Sequence, residues 1–300
     1  MLVADFSWAD FGQQITSGLA SGAIFASVAL ALVLIYRATD IVNFAQGEMA
    51  TFTTFIAWSL MNHGLSYWPA FVLTLAIAFV GGVGVERVFI RPVERRPELV
   101  IVIVTIGLLI ALNGLTGWIW GPEVKAFDSP FPNRTIDVAG VAVSIQDIGT
   151  FCVCLATVLL VWLFFRFTTV GLAMRAVAVN PDASRLMGVR VSWMLALGWG
   201  LAAVLGAVAG MMAAPTVFLD PDMMLVILIY AFAAAVLGGI DSPVGAVVGG
   251  LFVGVAETLA GAYVDVIGAD LKVGVPLVII LAVLLVRPQG LFGRAAVERA

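Results

Sequence analysis

The side chains that usually carry catalysis are few in this 300-residue chain. It has one histidine, His63, and two cysteines, Cys152 and Cys154, which would point to opposite sides of a helix and so cannot share a metal ion. Its two lysines, Lys125 and Lys272, belong to no phosphate-binding G-x-x-x-x-G-K-[ST] sequence. The sequence therefore predicts a protein that is not an enzyme and that binds neither a cofactor nor a metal ion.

A few polar side chains interrupt segments that are otherwise apolar. Glu257 lies in the middle of one such segment, and Asn43, Gln46 and Glu48 follow another. An ionised carboxylate facing lipid costs about 2.5–3.5 kcal/mol, and polar irregular backbone at membrane depth must be buried or line water. These four residues are therefore predicted to border a translocation pathway. The alternatives are a structural partner role for Glu257 and an ordinary cytoplasmic loop over residues 40–48.

A polar segment that contains several arginines, Gly171–Val191, separates two apolar ones and contains the signals of a short helix. Asn180 is a favourable N-cap, and Pro181 suits the first helical position. Gly188 can adopt the left-handed conformation that ends a helix. These signals predict about two turns of helix in a loop that would otherwise be a simple connection.

One face of this short helix is apolar. Ala183, Leu186 and Met187 fall at i, i+3 and i+4 and share a face, while Arg185 points elsewhere. A membrane protein that presents such a helix to the cytoplasm is expected to have a protein partner there. The alternative is an amphipathic helix that lies at the membrane interface.

Composition places the chain among polytopic membrane proteins. It is 62% hydrophobic and 11% charged, whereas soluble domains are about 45–50% apolar and about 25% charged. Because about 20 residues cross the hydrocarbon core, the pattern predicts nine spans, with eight or ten as the alternatives. The expected fold is an all-α bundle of membrane helices forming a single permease domain over residues 1–300, and nothing in it predicts nucleic-acid binding. The nine predicted spans are Gln13–Tyr36, Met49–Met61, Pro69–Val88, Leu99–Trp120, Ile148–Phe165, Ser192–Ala213, Met224–Ile240, Gly245–Ala262 and Val273–Val286.

The basic residues predict the orientation. With nine spans, alternate connections collect 12 of the 15 arginines and lysines, and connections rich in basic residues stay in the cytoplasm. The N-terminus is therefore expected outside and the C-terminus inside. Residues 121–147 then form an external loop, and residues 166–191 form a cytoplasmic one. The predicted cytoplasmic set is Arg37, Arg87, Arg91, Arg95, Arg96, Arg166, Arg175, Arg185, Arg190, Arg287, Arg294 and Arg299.

Weak internal similarity predicts an inverted repeat. Spans one to four and six to nine would be the two copies, an arrangement that many transporters use for alternating access. The alternative is chance similarity between helices rich in Gly, Ala and Val. The matched pieces are GGVGVER (Gly81–Arg87) with GLFVGVAET (Gly250–Thr258), and the spacing Gly18/Gly22 with Gly206/Gly210.

Several longer motifs resemble the LivH-type permease of branched-chain amino acid ABC importers, and the resemblance covers nearly the whole chain. In the NFAHGE-like segment, where family members commonly have histidine, this chain has Gln46, which argues against an essential titration there. The motifs are SGLASGAIFASVALALVLIYRATDIVNFAQGEM (Ser17–Met49), GLAMRAVAVNPDASRLMGV (Gly171–Val189), AAVLGGIDSPVGAVVGGLFVGVAE (Ala234–Glu257) and LKVGVPLVIILAVLLVRPQGLFG (Leu271–Gly293).

The resemblance implies a multi-pass subunit of the bacterial cytoplasmic (inner) membrane, surrounded by lipid. It implies a second, LivM-like permease subunit, two cytoplasmic ATPase subunits and a periplasmic amino-acid-binding protein that delivers leucine, isoleucine or valine. It also implies that the short helix couples the permease to the ATPases. The coupling residues are Asn180, Ala183, Arg185, Leu186, Met187 and Gly188, with Met187 included because it shares the apolar face.

Two other functions remain open from the sequence. Urea or short-amide importers use permeases of the same type, so the substrate class has one alternative. The alternative from another functional class is an ATP-independent facilitator or channel. The short capped helix predicted in the cytoplasmic loop argues against it, because such a helix is expected to bind a protein partner.

Overall fold

A computed structural model describes residues 7–94, 96–138, 140–264, 268 and 271–293. Helices dominate the described chain, and one β-hairpin lies between the fourth and fifth of them. Arg95, Arg294 and Arg299 lie outside the described residues. The elements are α1 (Trp8–Thr39), α2 (Gln46–Asn62), α3 (Tyr67–Val85) with the turns Glu86–Ile90 and Arg91–Val93, α4 (Glu98–Trp120), β1 (Thr135–Val138), β2 (Val141–Ser144), α5 (Ile145–Phe167), α6 (Thr169–Val179), α7 (Pro181–Leu186), α8 (Val191–Val217), α9 (Met223–Gly238), α10 (Pro243–Tyr263) and α11 (Gly274–Val286).

The predicted spans correspond to helices. Each of the nine falls on one of α1 to α5 or α8 to α11, and six of these helices are long and apolar enough to cross a membrane. The chain is thus a polytopic helical membrane protein. Two features were not predicted. The connection over residues 121–147 contains the antiparallel β1–β2 hairpin, and the connection over residues 166–191 contains a second helix, α6, before the predicted short one.

Helices α1 and α8 form the centre of the bundle. Both are hydrophobic on every face, and neighbouring helices bury half of the residues of α1 and two thirds of those of α8. Phe25 of α1 stacks on Tyr230 of α9, with ring centroids 4.7 Å apart. The peripheral helices α3, α4, α5 and α11 instead keep broad apolar surfaces exposed, as a lipid environment requires.

Helix packing follows the same pattern in both halves of the chain. Helix α1 packs on α10, and in the other half α8 packs on α3. Helix α2 packs on α8, and in the other half α9 packs on α1. The pairs α2–α3 and α2–α4 likewise have counterparts in α9–α10 and α9–α11. In addition, α1 and α8 each end at a non-glycine residue with positive φ, Asp40 at 56° and Phe218 at 64°, before a short helix follows.

Glycines set the closest helix approaches. A Cβ on Gly22 of α1 would lie 2.9 Å from the carbonyl oxygen of Gly250 in α10, and one on Gly82 of α3 would lie 2.6 Å from the carbonyl oxygen of Trp199 in α8. The two glycine pairs with matching spacing have different partners. Gly18 and Gly22 pack against α10, whereas Gly206 and Gly210 pack against α2.

The short helices α2 and α9 begin next to each other inside the bundle. Gly47, in the first turn of α2, lies against the carbonyl oxygen of Met224 in the first turn of α9. The Gln46 side chain reaches Ala202, which is 11 residues, or about 16 Å, into α8. The start of α2 is therefore far from either end of the long helices.

Candidate functional site

The short helix α7 has the caps that its sequence predicts. The Asn180 side-chain oxygen accepts a hydrogen bond from the backbone N–H of Ala183 at 2.9 Å. Gly188 has φ +82°, and its N–H donates to the carbonyl oxygen of Arg185 at 3.0 Å. The N–H of Val189 donates to the carbonyl oxygen of Ser184, also at 3.0 Å. These two bonds form a Schellman motif, so α7 is closed at both ends by local hydrogen bonds.

The apolar end of α7 points away from the protein. Leu186 is 89% exposed and Met187 is 84% exposed, whereas Ser184 is buried. Arg185 donates a hydrogen bond to Asp182 at 2.8 Å, and both side chains remain largely in solvent. Two adjacent apolar side chains on a capped helix, with a charged pair beside them, form a surface suited to an apolar groove on a partner.

A small apolar cluster connects this loop to the bundle. Val177 of α6, Val191 and Leu195 of α8 are buried together, and Val189 packs against them. Ala38, at the end of α1, completes the contact. The cluster therefore joins α6 and the residues that follow α7 to the ends of α1 and α8.

Asn43 and Gln46 are buried and connect α2 to its neighbours. The Asn43 side chain accepts from the N–H of Ala45 at 3.1 Å and donates to the Gln46 side-chain oxygen at 3.3 Å. The Gln46 amide in turn donates to the carbonyl oxygen of Ala202 at 2.9 Å. Through these hydrogen bonds, the two side chains join the start of α2 to the middle of α8.

Glu48 belongs to a different polar group. It is fully buried in the first turn of α2, and its Oε2 lies 3.5 Å from the side-chain nitrogen of Asn113 in α4. The same nitrogen donates to the carboxylate of Asp222 at 2.8 Å, just before α9. Glu48 Oε1 has no hydrogen-bond partner among the described residues. Two carboxylates thus share one amide where α2, α4 and α9 meet.

Glu257 lies apart from that group. Its Oε1 is 3.9 Å from the Lys272 ammonium, and its Oε2 accepts from the Thr258 hydroxyl at 3.4 Å. The Glu257 side chain is only 14% exposed. The structure therefore divides the four predicted pathway residues into three places, with Asn43 and Gln46 together and the two glutamates separate.

Sequence reasoning missed Asn113, Asp222 and Lys272. Asn113 had a usable signal, because it is a strongly polar side chain well inside a predicted span. The other two lie in connections, where an acidic or basic residue is ordinary. Asp222 is 109 residues from Asn113 in the chain, so nothing local indicates that they meet.

Comparisons with known proteins agree over nearly the full length. The profile of the family described as "Branched-chain amino acid transport system / permease component" matches residues 14–284. The high-affinity branched-chain amino acid transport system permease protein LivH of Escherichia coli (strain K12) is 30% identical, covering 96% of this chain and 97% of the relative. The high-affinity branched-chain amino acid transport system permease protein BraD of Pseudomonas aeruginosa is 32% identical, also covering 96% of this chain and 97% of the relative.

A solved structure shows a similar fold. PsaBC from Streptococcus pneumoniae in complex with Fab has a TM-score of 0.50, with 91% of each chain covered and 14% sequence identity. At that identity the likeness concerns the helical architecture alone.

Proposed function

Because the chain belongs to the family of branched-chain amino acid transport permease components, we propose that it is the membrane-spanning permease subunit of an ABC importer that moves leucine, isoleucine and valine inward. The observation that carries this proposal is the nearly full-length similarity to LivH and BraD. ATP hydrolysis belongs to partner subunits, in keeping with a chain that has no phosphate-binding G-x-x-x-x-G-K-[ST] sequence.

Its partners follow from the same proposal. Two cytoplasmic ATPase subunits bind α7 and its relative on a second, LivM-like permease subunit, and a periplasmic binding protein delivers the amino acid. Exposed Leu186 and Met187 support the first contact, because apolar side chains this exposed in an aqueous loop favour coverage by a partner. Arg185 and Asp182 would flank that contact as its polar rim.

Uptake into vesicles containing the purified assembly tests the transport function. With leucine-loaded binding protein outside, we expect uptake that requires enclosed ATP and falls to background with a non-hydrolysable analogue. Urea-loaded binding protein serves as the comparison, because urea permeases of this type are the main alternative. Uptake of leucine down its gradient without ATP would instead identify a facilitator, and uptake of urea alone would move the chain to the other substrate class.

We propose nine spans with the N-terminus outside, arranged as an inverted repeat of α1–α4 and α8–α11. The repeat is supported by the helix contacts, because each contact of α1–α4 described above has a counterpart among the equivalent helices of α8–α11. Contacts between helix ends support this alternation of sides. Each contact joins two ends that the distribution of basic residues places on the same side of the membrane. Lys125 pairs with Leu219 at the external end, and Arg87 lies 3.9 Å over the Trp193 ring at the cytoplasmic end.

We propose that the translocation pathway passes the place where Glu48, Asn113 and Asp222 meet. Asn113 is seven residues, or about 10 Å, below the external end of α4 at Trp120. Asp222 is exposed on the surface of this chain at nearly the same depth. Since a carboxylate facing lipid is costly, that surface must face water or the second permease. Asn43 and Gln46 would then hold α2 in place, and Glu257 with Lys272 would border the external side.

Cysteine labelling with a charged, membrane-impermeant maleimide tests both arrangements, in a background without the native cysteines. Ser129→Cys should label in intact cells, and Met187→Cys only after permeabilisation. Asp222→Cys should react from outside more slowly than Ser129→Cys because it lies below the surface. Ile110→Cys, also exposed and about one turn from Asn113, is the lipid-facing control and should not react, because a thiol in hydrocarbon does not ionise.

Labelling of Met187→Cys in intact cells would overturn the orientation. Equal, negligible reactivity of Asp222→Cys and Ile110→Cys in both the free permease and the assembly would show that the Asp222 surface meets lipid, and the proposed pathway position would then be wrong.

A further inference from the structure

A deep cleft opens on the side of the bundle, away from the Glu48 group. Its volume is about 700 Å³, and its walls come from α1, α5, α6, α8 and the start of α10. Helix α6 lies across its cytoplasmic end. Along α5 the lining extends from Leu155 to Arg166, a distance of about 16 Å at the rise of an α-helix.

The walls of this cleft are apolar along most of their length. Val158, Val161 and Leu195 are buried in its depth. Leu159 on α5 and Val248 on α10 are exposed and form its two lips, so the cleft opens sideways between these helices. The opening therefore lies on the lateral surface of this chain and not at either end of the bundle.

Three arginines gather at the cytoplasmic end of the cleft. Arg37 lies in the last turn of α1, Arg166 lies in the last turn of α5, and Arg175 belongs to α6. Neither Arg166 nor Arg175 forms an ion pair with a described residue, and the Arg175 Nε is buried without a hydrogen-bond partner there. None of the described lining residues is acidic; Asp241 precedes the lining residue Ser242 but does not line the cleft itself.

We infer that this cleft binds an anionic phospholipid, with its phosphate at Arg166 and Arg175 and one acyl chain between α5 and α10. Charge complementarity selects this occupant, because a buried guanidinium nitrogen without a partner requires an acceptor, and phosphate oxygens accept from arginine in matching geometry. The apolar walls fit a hydrocarbon tail that enters from the bilayer. Basic pockets between helices on the cytoplasmic side are a known form of lipid recognition.

The cleft also lies next to the connection over residues 166–191, which contains α6 and α7. Helix α6 carries Arg175 and leads directly into α7 through Asn180. A bound phosphate would hold α6 against the ends of α1 and α5. The lipid would thereby stabilise the position from which α7 reaches its partner, and this expectation does not depend on which substrate the transporter carries.

Native mass spectrometry of the purified assembly, exchanged into phosphatidylglycerol and then washed with phosphatidylcholine, tests the inference. We expect the wild-type assembly to retain phosphatidylglycerol. Each arginine near an anionic headgroup contributes about fivefold to binding, so the double variant Arg166→Gln/Arg175→Gln should retain it about 30-fold more weakly. Arg287→Gln removes an exposed arginine at the same end of the bundle and is the matched control, with retention unchanged.

A second variant tests the acyl-chain half of the site without changing charge. A Cβ on Gly198 would have only the Met174 methyl group within 4 Å, at 3.7 Å, and Gly198 lines the cleft, so the side chain of Gly198→Leu would project into it. It should also lose phosphatidylglycerol. Failure of the wild-type assembly to retain the lipid, or wild-type retention in both variants, would overturn the inference. Loss in the arginine variant alone would show headgroup binding outside the cleft, which equally contradicts it.

Discussion

Leu186→Asp is expected to leave the permease folded in the membrane while abolishing substrate-stimulated ATP hydrolysis by the assembled transporter. Leu186 is almost wholly exposed and makes no contribution to the bundle core, so its loss should not unfold the chain. In the proposed complex it enters an apolar groove on the ATPase, and a carboxylate buried there without a partner is strongly unfavourable. A cost of about 3 kcal/mol lowers affinity by about a hundredfold.

The cap of the same helix provides a second, independent change. Gly188 has φ +82°, a conformation that costs a β-branched residue about 1–2 kcal/mol. Gly188→Val should therefore loosen the end of α7 and reduce stimulated hydrolysis severalfold. Gly188→Asn is the matched control, because asparagine tolerates the left-handed conformation, and Leu186→Met is the control that keeps the groove contact apolar.

ATPase activity of the reconstituted assembly, with and without loaded binding protein, measures both effects. Retention of the ATPase subunits on the purified permease separates weak binding from failed coupling. If Leu186→Asp and Gly188→Val both keep normal retention and normal stimulation, then α7 is not the element that joins permease and ATPase. The membrane bundle would still be a permease, but its coupling surface would have to lie elsewhere on the cytoplasmic side.

Gly250→Ala is expected to reduce the yield of folded permease more than tenfold. The added methyl group would overlap the backbone of Ala26 in α1, and a backbone atom in a packed helix cannot move aside cheaply. Gly82→Ala should be similarly damaging, because its Cβ would lie 2.6 Å from the carbonyl oxygen of Trp199. Damage at both the α1–α10 and the α3–α8 contacts would agree with the proposed inverted repeat.

Gly107→Ala is the matched control for this experiment. Gly107 lies inside α4, where an added Cβ would meet nothing within 4 Å, and replacing glycine by alanine favours a helix by about 1 kcal/mol. Size-exclusion profiles of the detergent-solubilised protein give the folded yield. A Gly250→Ala yield equal to that of Gly107→Ala would mean that α1 and α10 do not approach as closely as the structure indicates.

Composition and local signals determined a large part of this molecule. A chain with 62% hydrophobic residues cannot hide them in a soluble core, so the membrane class and the nine helical segments follow from the sequence. The caps of α7 follow too, because Asn180, Pro181 and Gly188 act within a few residues of themselves. Interactions over such short distances have the same partners in any fold.

Only the tertiary structure decided which distant side chains meet. It joined Glu48, Asn113 and Asp222 into one polar group, and it separated Gln46 from Glu48 although they are two residues apart. Glycines allow close packing of helices, but the partner of each depends on helix rotation and crossing. Those are set by the summed packing of the whole bundle, which no short segment encodes, and for that reason the arginine-lined cleft beside α6 could not be predicted either.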